Sequence, residues 1–279
     1  MGCSCAFYWI VSASLRTCPA VCYRKTVKTP SGNKIIMNMN NCTPKVTIVT
    51  VCYNAESDIE STLLSVLGQT YRNIEYIVVD GGSTDGTCDI IRNYSDRIDC
   101  FVSEPDRGVY DAMNKAAAMA KGEWILFMNS GDSFYSPNTV SDAFERDIDG
   151  DTGVLYGDTI YSERDRQTLV RHGDLRVHSV MPACHQSIFC RTRLLKENPF
   201  NLKYKYAADY DFFYRLKRAN VRNQYMNMIV SVYDKSRGLS KENTNLVRKE
   251  RYRCSNSLPL FLIKYSLFRL KGIIGGFIK

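Results

Sequence analysis

No CxxC pair occurs among the eleven cysteines, which argues against a zinc cage and against a secreted disulfide framework. Five of them (Cys3, Cys5, Cys18, Cys22 and Cys42) precede residue 45. Cys52 and Cys100 lie in apolar runs, where a thiol behaves as a small buried hydrophobe. A reduced, cytoplasmic setting is expected. Acidic residues are missing from 1–45 and from 251–279, each of which carries six bases. The chain as a whole has 37 Lys+Arg against 29 Asp+Glu, a net charge of +8, yet residues 46–250 hold 25 bases against 29 acids. The folded middle therefore lacks the basic face of a nucleic-acid binder. At 279 residues, 44% hydrophobic and 24% charged, the composition is that of a globular protein.

Long apolar runs are also missing. The stretch SLPLFLIKYSLFRLKGIIGGFIK is interrupted by Lys264, Arg269 and Lys271, so it falls short of the ~20 residues of a spanning helix. Bases spaced among Leu, Phe and Ile suggest a helix lying on an anionic membrane surface, or one that packs on the protein. The expected organisation is an N-terminal extension over 1–44, a central domain over 45–235 and a basic apolar tail over 236–279. AFYWIVSASL lacks a preceding base, as a signal core would have, and MGCSCA lacks the Ser or Thr of a myristoylation motif. The extension is therefore expected to be unstructured, or to precede a natural start at Met37 or Met39.

From Lys45 strand and helix patterns alternate. KVTIVTVCY and IEYIVVD read as buried parallel strands. Ile59, Leu63, Val66 and Leu67 recur at helical spacing, with Gly68 as a stop. A helix is predicted from Asp85 through Cys88, Ile91 and Tyr94, then a short strand CFVS, a helix carrying Val109, Ala112, Met113 and Ala116, and the strand EWILFM. Trp124 is expected in the core. Four such alternations imply an α/β fold: a mostly parallel open sheet with helices on both faces. Ligands of such sheets bind at the carboxyl ends of the strands, which here read TVCYN, VDGGSTDG, SEPDRG and MNSGD.

The usual nucleotide loops are absent at those ends. GGSTDGT has phosphate-loop glycine spacing, but Thr87 stands where lysine must follow, and GxGxxG does not occur. An acidic edge remains, formed by Asp80, Asp106 and Asp132. Carboxylates repel phosphate, so such an edge needs a divalent cation between itself and a diphosphate. Asp80 has a second option, accepting hydrogen bonds from a base. Asp85 reads as a helix cap.

The ordered series PKVTIVTVCYN, ESTLLSVLGQTYRNIEYIVVDGGSTDGT, SEPDRGVYDAMNKAAAMAKGEWILFMNSGD resembles family 2 glycosyltransferases of the GT-A fold, over about residues 44–235. It is most like the branch that builds bacterial capsule, O-antigen and exopolysaccharide units. The resemblance implies an inverting transfer from a nucleotide-diphosphate sugar to a lipid-linked or oligosaccharide acceptor, with Mg2+ or Mn2+, on the cytoplasmic face of the membrane. By position it implies that Thr50, Tyr53 and Glu56 form a nucleotide loop, with Asp80 and Ser83 at the base. Asp132 matches the last acid of the metal-binding motif, and Asp209 in AADYDFFYRL the catalytic base. His185 and Gln186 lie by donor sugar or acceptor, and Arg107 is placed to reach the diphosphate.

Two departures stand out. Asn129 and Gly131 occupy places where many members carry acids, and Ala208 replaces the usual Glu before Asp209. They leave open an alternative, a non-catalytic nucleotide-sugar or glycan-binding subunit. A nucleotidyltransferase on a similar sheet is disfavoured because the GTRL-type loop of sugar-nucleotide pyrophosphorylases is absent. Asp211, two residues beyond Asp209, is expected to be structural.

Overall fold

The computed structural model describes the main chain of residues 24–28 and 34–38, and residues 43–163, 165–173, 181–235 and 243–254 in full. Strands β1 (Arg24–Lys28) and β2 (Lys34–Asn38) form an antiparallel pair, a unit by themselves within the segment expected to be unstructured. The second unit begins at Pro44.

That unit is built on a nine-stranded sheet of order β5-β4-β3-β6-β10-β8-β11-β7, with β9 paired to β8. Strands β3 (Val46–Cys52), β4 (Ile74–Asp80), β5 (Cys100–Ser103) and β6 (Trp124–Phe127) are parallel. Strand β10 (Ile188–Arg191) runs antiparallel to β6 and to β8 (Thr152–Glu163), which pairs in parallel with β11 (Arg222–Asp234). Two shorter strands complete the sheet: β7 (Ser133–Phe134) beside β11, and β9 (Arg166–Val170) beside β8.

Both faces are covered. Helices α3 (Val109–Met119), α5 (Thr192–Glu197) and α6 (Ala208–Arg218) pack Met113, Leu195 and Phe212 over Val49, Val51, Ile77 and Val79. On the opposite face α1 (Ile59–Leu67), α2 (Thr87–Arg92) and α4 (Thr139–Phe144) set Ile59, Leu63, Ile91 and Val140 against Val46, Ile48, Tyr76 and Val78. This double cover explains why β3 and β4 are almost continuously apolar, and it buries Trp124 as expected.

Three boundaries differ from the sequence reading. Helix α2 starts at Thr87, not Asp85; Asp85 lies before it, with Oδ1 accepting the Thr87 N–H at 3.1 Å and hydroxyl at 2.5 Å. It also stops at Arg92, so Tyr94 lies beyond it and bonds Glu60 through its hydroxyl. The third difference is α7 (Thr244–Cys254), which lies beyond residue 235 yet belongs to the same unit, with Val247 and Cys254 buried. The apolar residues 258–279 expected at a membrane lie outside the described residues. Among the described residues, no helix is long and apolar enough to cross a membrane.

Candidate active site

Because β3 to β6 are parallel, the loops that leave them collect along one edge. The segment before β10 joins them there, since an antiparallel strand begins where its neighbour β6 ends. The short helical turn His185–Ser187 therefore lies beside Asn129, and the two side chains meet at Asn129 Nδ2···His185 Nε2, 3.1 Å.

At the β3–β4 side, Asp80 is fully buried and binds its own loop. Oδ2 accepts the N–H groups of Gly82 (3.0 Å) and Ser83 (2.9 Å) and the hydroxyl of Ser103 (2.7 Å), while the Ser83 hydroxyl donates to Oδ1. Burial pushes this carboxyl up, but these hydrogen bonds outweigh it and hold it below the ordinary value. Ser83 Oγ in turn accepts the Asn54 N–H at 2.7 Å, and Glu56 accepts the Gly86 N–H at 3.2 Å, so the loops after β3 and β4 are laced together. Tyr53 stands exposed at their rim. Gly81 is the point where Asp106 approaches: a Cβ there would lie 2.5 Å from Asp106 Oδ2 and 3.4 Å from the Tyr53 ring.

Thr50 and Arg107, expected at the nucleotide, both make contacts within the protein. Thr50 is fully buried within β3, its hydroxyl donating to the Met128 carbonyl (2.8 Å) and meeting the Tyr76 hydroxyl (2.9 Å). A strand covered on both faces leaves only its last residues at the edge, and Thr50 stops two short of the end. Arg107 is largely exposed and forks onto Asp111, one turn ahead on α3, at 3.0 Å.

At the β6 side the loop Asn129–Asp132 turns through Gly131 at φ +94°, a region that favours glycine. Thr62 of α1 anchors it, donating to the Asp132 carbonyl at 2.8 Å and accepting the Gly131 N–H at 3.1 Å. The Asp132 carboxylate is buried. Gln186 Nε2 donates to its Oδ2 at 2.6 Å, and the Asp234 N–H donates to Oδ1 at 3.0 Å. Burial dominates and pushes the carboxyl up to about 6, against the pull of Gln186, His185 and the Asp234 N–H.

Asp209, in the first turn of α6, is also buried. Its Oδ1 accepts the Tyr110 hydroxyl (3.0 Å) and the Tyr210 N–H (2.7 Å), and Oδ2 lies 3.6 Å from His185 Nδ1. Here burial again pushes upward. The neighbouring His185 ring, with the donors Tyr210 and Tyr110, overcomes it and leaves the group below the usual carboxylate range. Two buried aspartates of one site are thus shifted in opposite directions, and consecutive residues, His185 and Gln186, touch one each. Asp211 faces away to Arg215 at 2.9 Å, as expected of a structural residue.

The family model described as glycosyl transferase family 2 matches residues 47–219. The chain belongs to this family. Across 209 residues this family 2 glycosyltransferase is 35% identical to the PGL/p-HBAD biosynthesis glycosyltransferase of Mycobacterium bovis, covering 71% of this chain and 79% of that one. Among solved structures, S. aureus TarS (residues 1–349) in complex with UDP superposes with a TM-score of 0.56 at 25% identity, over 68% of this chain and 60% of that 1–349 chain. The Pyrobaculum calidifontis mannosyltransferase PcManGT, in complex with GDP-Man and Mn2+, gives 0.56 at 23% identity, over 69% and 57%. This chain spans less than two thirds of either solved protein. The fold is GT-A, and the protein is a glycosyltransferase.

Among the described residues no group of three or more His, Cys, Asp and Glu could hold a divalent cation alone. Asp132, however, is a buried carboxylate raised by desolvation, and in the same loop Asn129 Oδ1 and Ser130 Oγ are buried without a hydrogen-bond partner. Such a loop fits a cation held by Asp132, with diphosphate and water completing its shell. Sequence reasoning missed Thr62 and Tyr110, which touch Asp132 and Asp209. Neither falls in a motif with chemistry of its own, and only the folded arrangement brings them to the site.

Proposed function

We propose that this glycosyltransferase moves a sugar from a nucleotide-diphosphate donor to a hydroxyl of a lipid-linked or growing glycan of the bacterial surface, inverting the anomeric configuration. The observation that carries the reading is the His185–Gln186 step, which ties Asp132 and Asp209 into one continuous site. The complexes of TarS with UDP and of PcManGT with GDP-Man and Mn2+ support the donor class and the cation.

In this reading the nucleoside lies along the loops after β3 and β4, with Tyr53, Glu56, Ser83 and Asp106 at the rim and Asp80 holding the loop that receives the base. Asp132 would hold Mg2+ or Mn2+, which when bound supplies positive charge beside the departing diphosphate. Gln186 fixes the Asp132 carboxylate. Asp209 Oδ2 accepts the proton of the acceptor hydroxyl as that oxygen attacks, and His185 orients the same carboxylate oxygen. Attack from the side opposite the leaving group in one displacement inverts the anomeric carbon.

A thermal-shift screen of UDP- and GDP-sugars with Mn2+ identifies the donor, since a ligand that binds only the folded state raises its melting temperature. With that donor, Asp132→Ala and Asp209→Asn are each expected to lose on the order of 100-fold or more in turnover, in the range of general acid–base and electrostatic contributions. NMR of the product is expected to show the inverted anomer. Undiminished turnover of both variants rejects the assignment.

A further inference from the structure

Helix α6 carries Asp209 in its first turn, but the residue at its N-cap is Ala207, which has no side chain with which to cap the helix. The main-chain N–H groups of the turn that leads into the helix need acceptors of their own. They find one in a separate helix. Glu250 of α7 accepts three consecutive N–H groups: Lys205 on Oε1 at 3.1 Å, and Tyr206 (2.8 Å) and Ala207 (3.0 Å) on Oε2. The same helix reaches the Ala207 carbonyl through the Cys254 thiol at 4.0 Å, and Arg251 lies over the Tyr210 ring at 5.5 Å. Tyr210 is the residue whose N–H donates to Asp209.

We infer that Glu250 is a positioning residue for transfer: its carboxylate, supplied from α7, holds the turn Lys205–Ala207 that leads into α6, and it sets the placement of Asp209. Successive N–H groups converging on one carboxylate form a rigid anion nest, and the negative charge also meets the positive end of the helix dipole. The Asp209 carboxylate lies two residues past the last of those N–H groups. A shift of the turn therefore moves it directly, and catalytic geometry tolerates little displacement, on the order of 1 Å costing about 100-fold. The matched family region ends at residue 219, so this contact comes from sequence beyond it. The inference rests on the reading of Asp209 as base.

The test compares full-length Glu250→Ala, Glu250→Gln, Val247→Ala and Asp209→Asn, with the donor found by the nucleotide-sugar screen. Val247 is buried on α7, and its truncation loosens the helix while leaving the carboxylate in place. Glu250→Ala is expected to lower kcat by about 10- to 100-fold with the donor KM within about 2-fold. Glu250→Gln keeps a neutral acceptor and is expected to recover part of that loss. Val247→Ala is expected to lower the melting temperature while keeping kcat near wild type. If Asp209→Asn is inactive but both Glu250 variants turn over like wild type, the inference is overturned and the base reading stands. Equal kcat losses in Val247→Ala and Glu250→Ala also overturn it, because they reduce Glu250 to general support. Wild-type turnover by Asp209→Asn overturns both readings.

Discussion

Asp80 and Gly81 show how much of the nucleotide side rests on single residues. Asp80 accepts donors from Gly82, Ser83 and Ser103, and its folded-state value lies below the unfolded one. Its stabilisation is therefore present above the unfolded carboxylate value of about 3.9 and lost as pH falls through the folded value. The melting-temperature gap between wild type and Asp80→Asn is expected to be widest near neutral pH and to narrow below about pH 4; a gap independent of pH rejects this account. Gly81→Ala forces its Cβ against Asp106. It is expected to weaken nucleotide binding in calorimetry with UDP or GDP and Mn2+, because Asp106 and the Tyr53 rim must move. At this scale the sequence was uneven. Asp80, Asp106 and Asp132 stood out as acids at strand ends, and Asp209 through the family resemblance. Thr50 came from the resemblance, and the sequence did not show that its hydroxyl lies in the core, because residues of a parallel strand look alike whether they face a core or an edge.

Helix α1 ties the apolar core to the Asp132 loop. Ile59, Leu63 and Val66 bury its inner face, and Thr62 on the same helix grips the loop at two points. Ser65 adds a third contact, accepting the Phe134 N–H at 2.8 Å. Thr62→Val keeps the shape but leaves the part-buried Gly131 N–H without its acceptor, a cost of about 1 kcal/mol. The expected result is a lower melting temperature and weaker Mn2+-dependent nucleotide binding; unchanged binding separates the loop from the helix. The apolar periodicity of α1 and α3 and the β-branched strands β3 and β4 were legible because burial on both faces leaves a strong pattern. The turn before β10 and helix α7 were not. His185–Ser187 gains its place only by antiparallel pairing of β10, and α7 is mostly polar, with Val247 and Cys254 as its buried residues.

Across the whole molecule, one edge of the sheet gathers residues more than a hundred positions apart. Asn129 and Asp132 leave β6, His185 and Gln186 precede β10, and Asp209 opens α6; Asp234, at the end of β11, closes the ring by donating its N–H to Asp132. The family resemblance named most of these residues, but it did not show that His185 and Gln186 divide between the two aspartates, because that follows from sheet order. Ala208, the first residue of α6, is fully buried, where a carboxylate would be desolvated. The central claim is that Asp132 and Asp209 act on one bound donor. The most direct measurement is the anomalous-scattering position of Mn2+ in crystals grown with UDP or GDP. The account predicts a peak within coordination distance of the Asp132 carboxylate, on the side that faces His185 and Asp209. A peak at Asp80 and Asp106 instead, with none at Asp132, would contradict it.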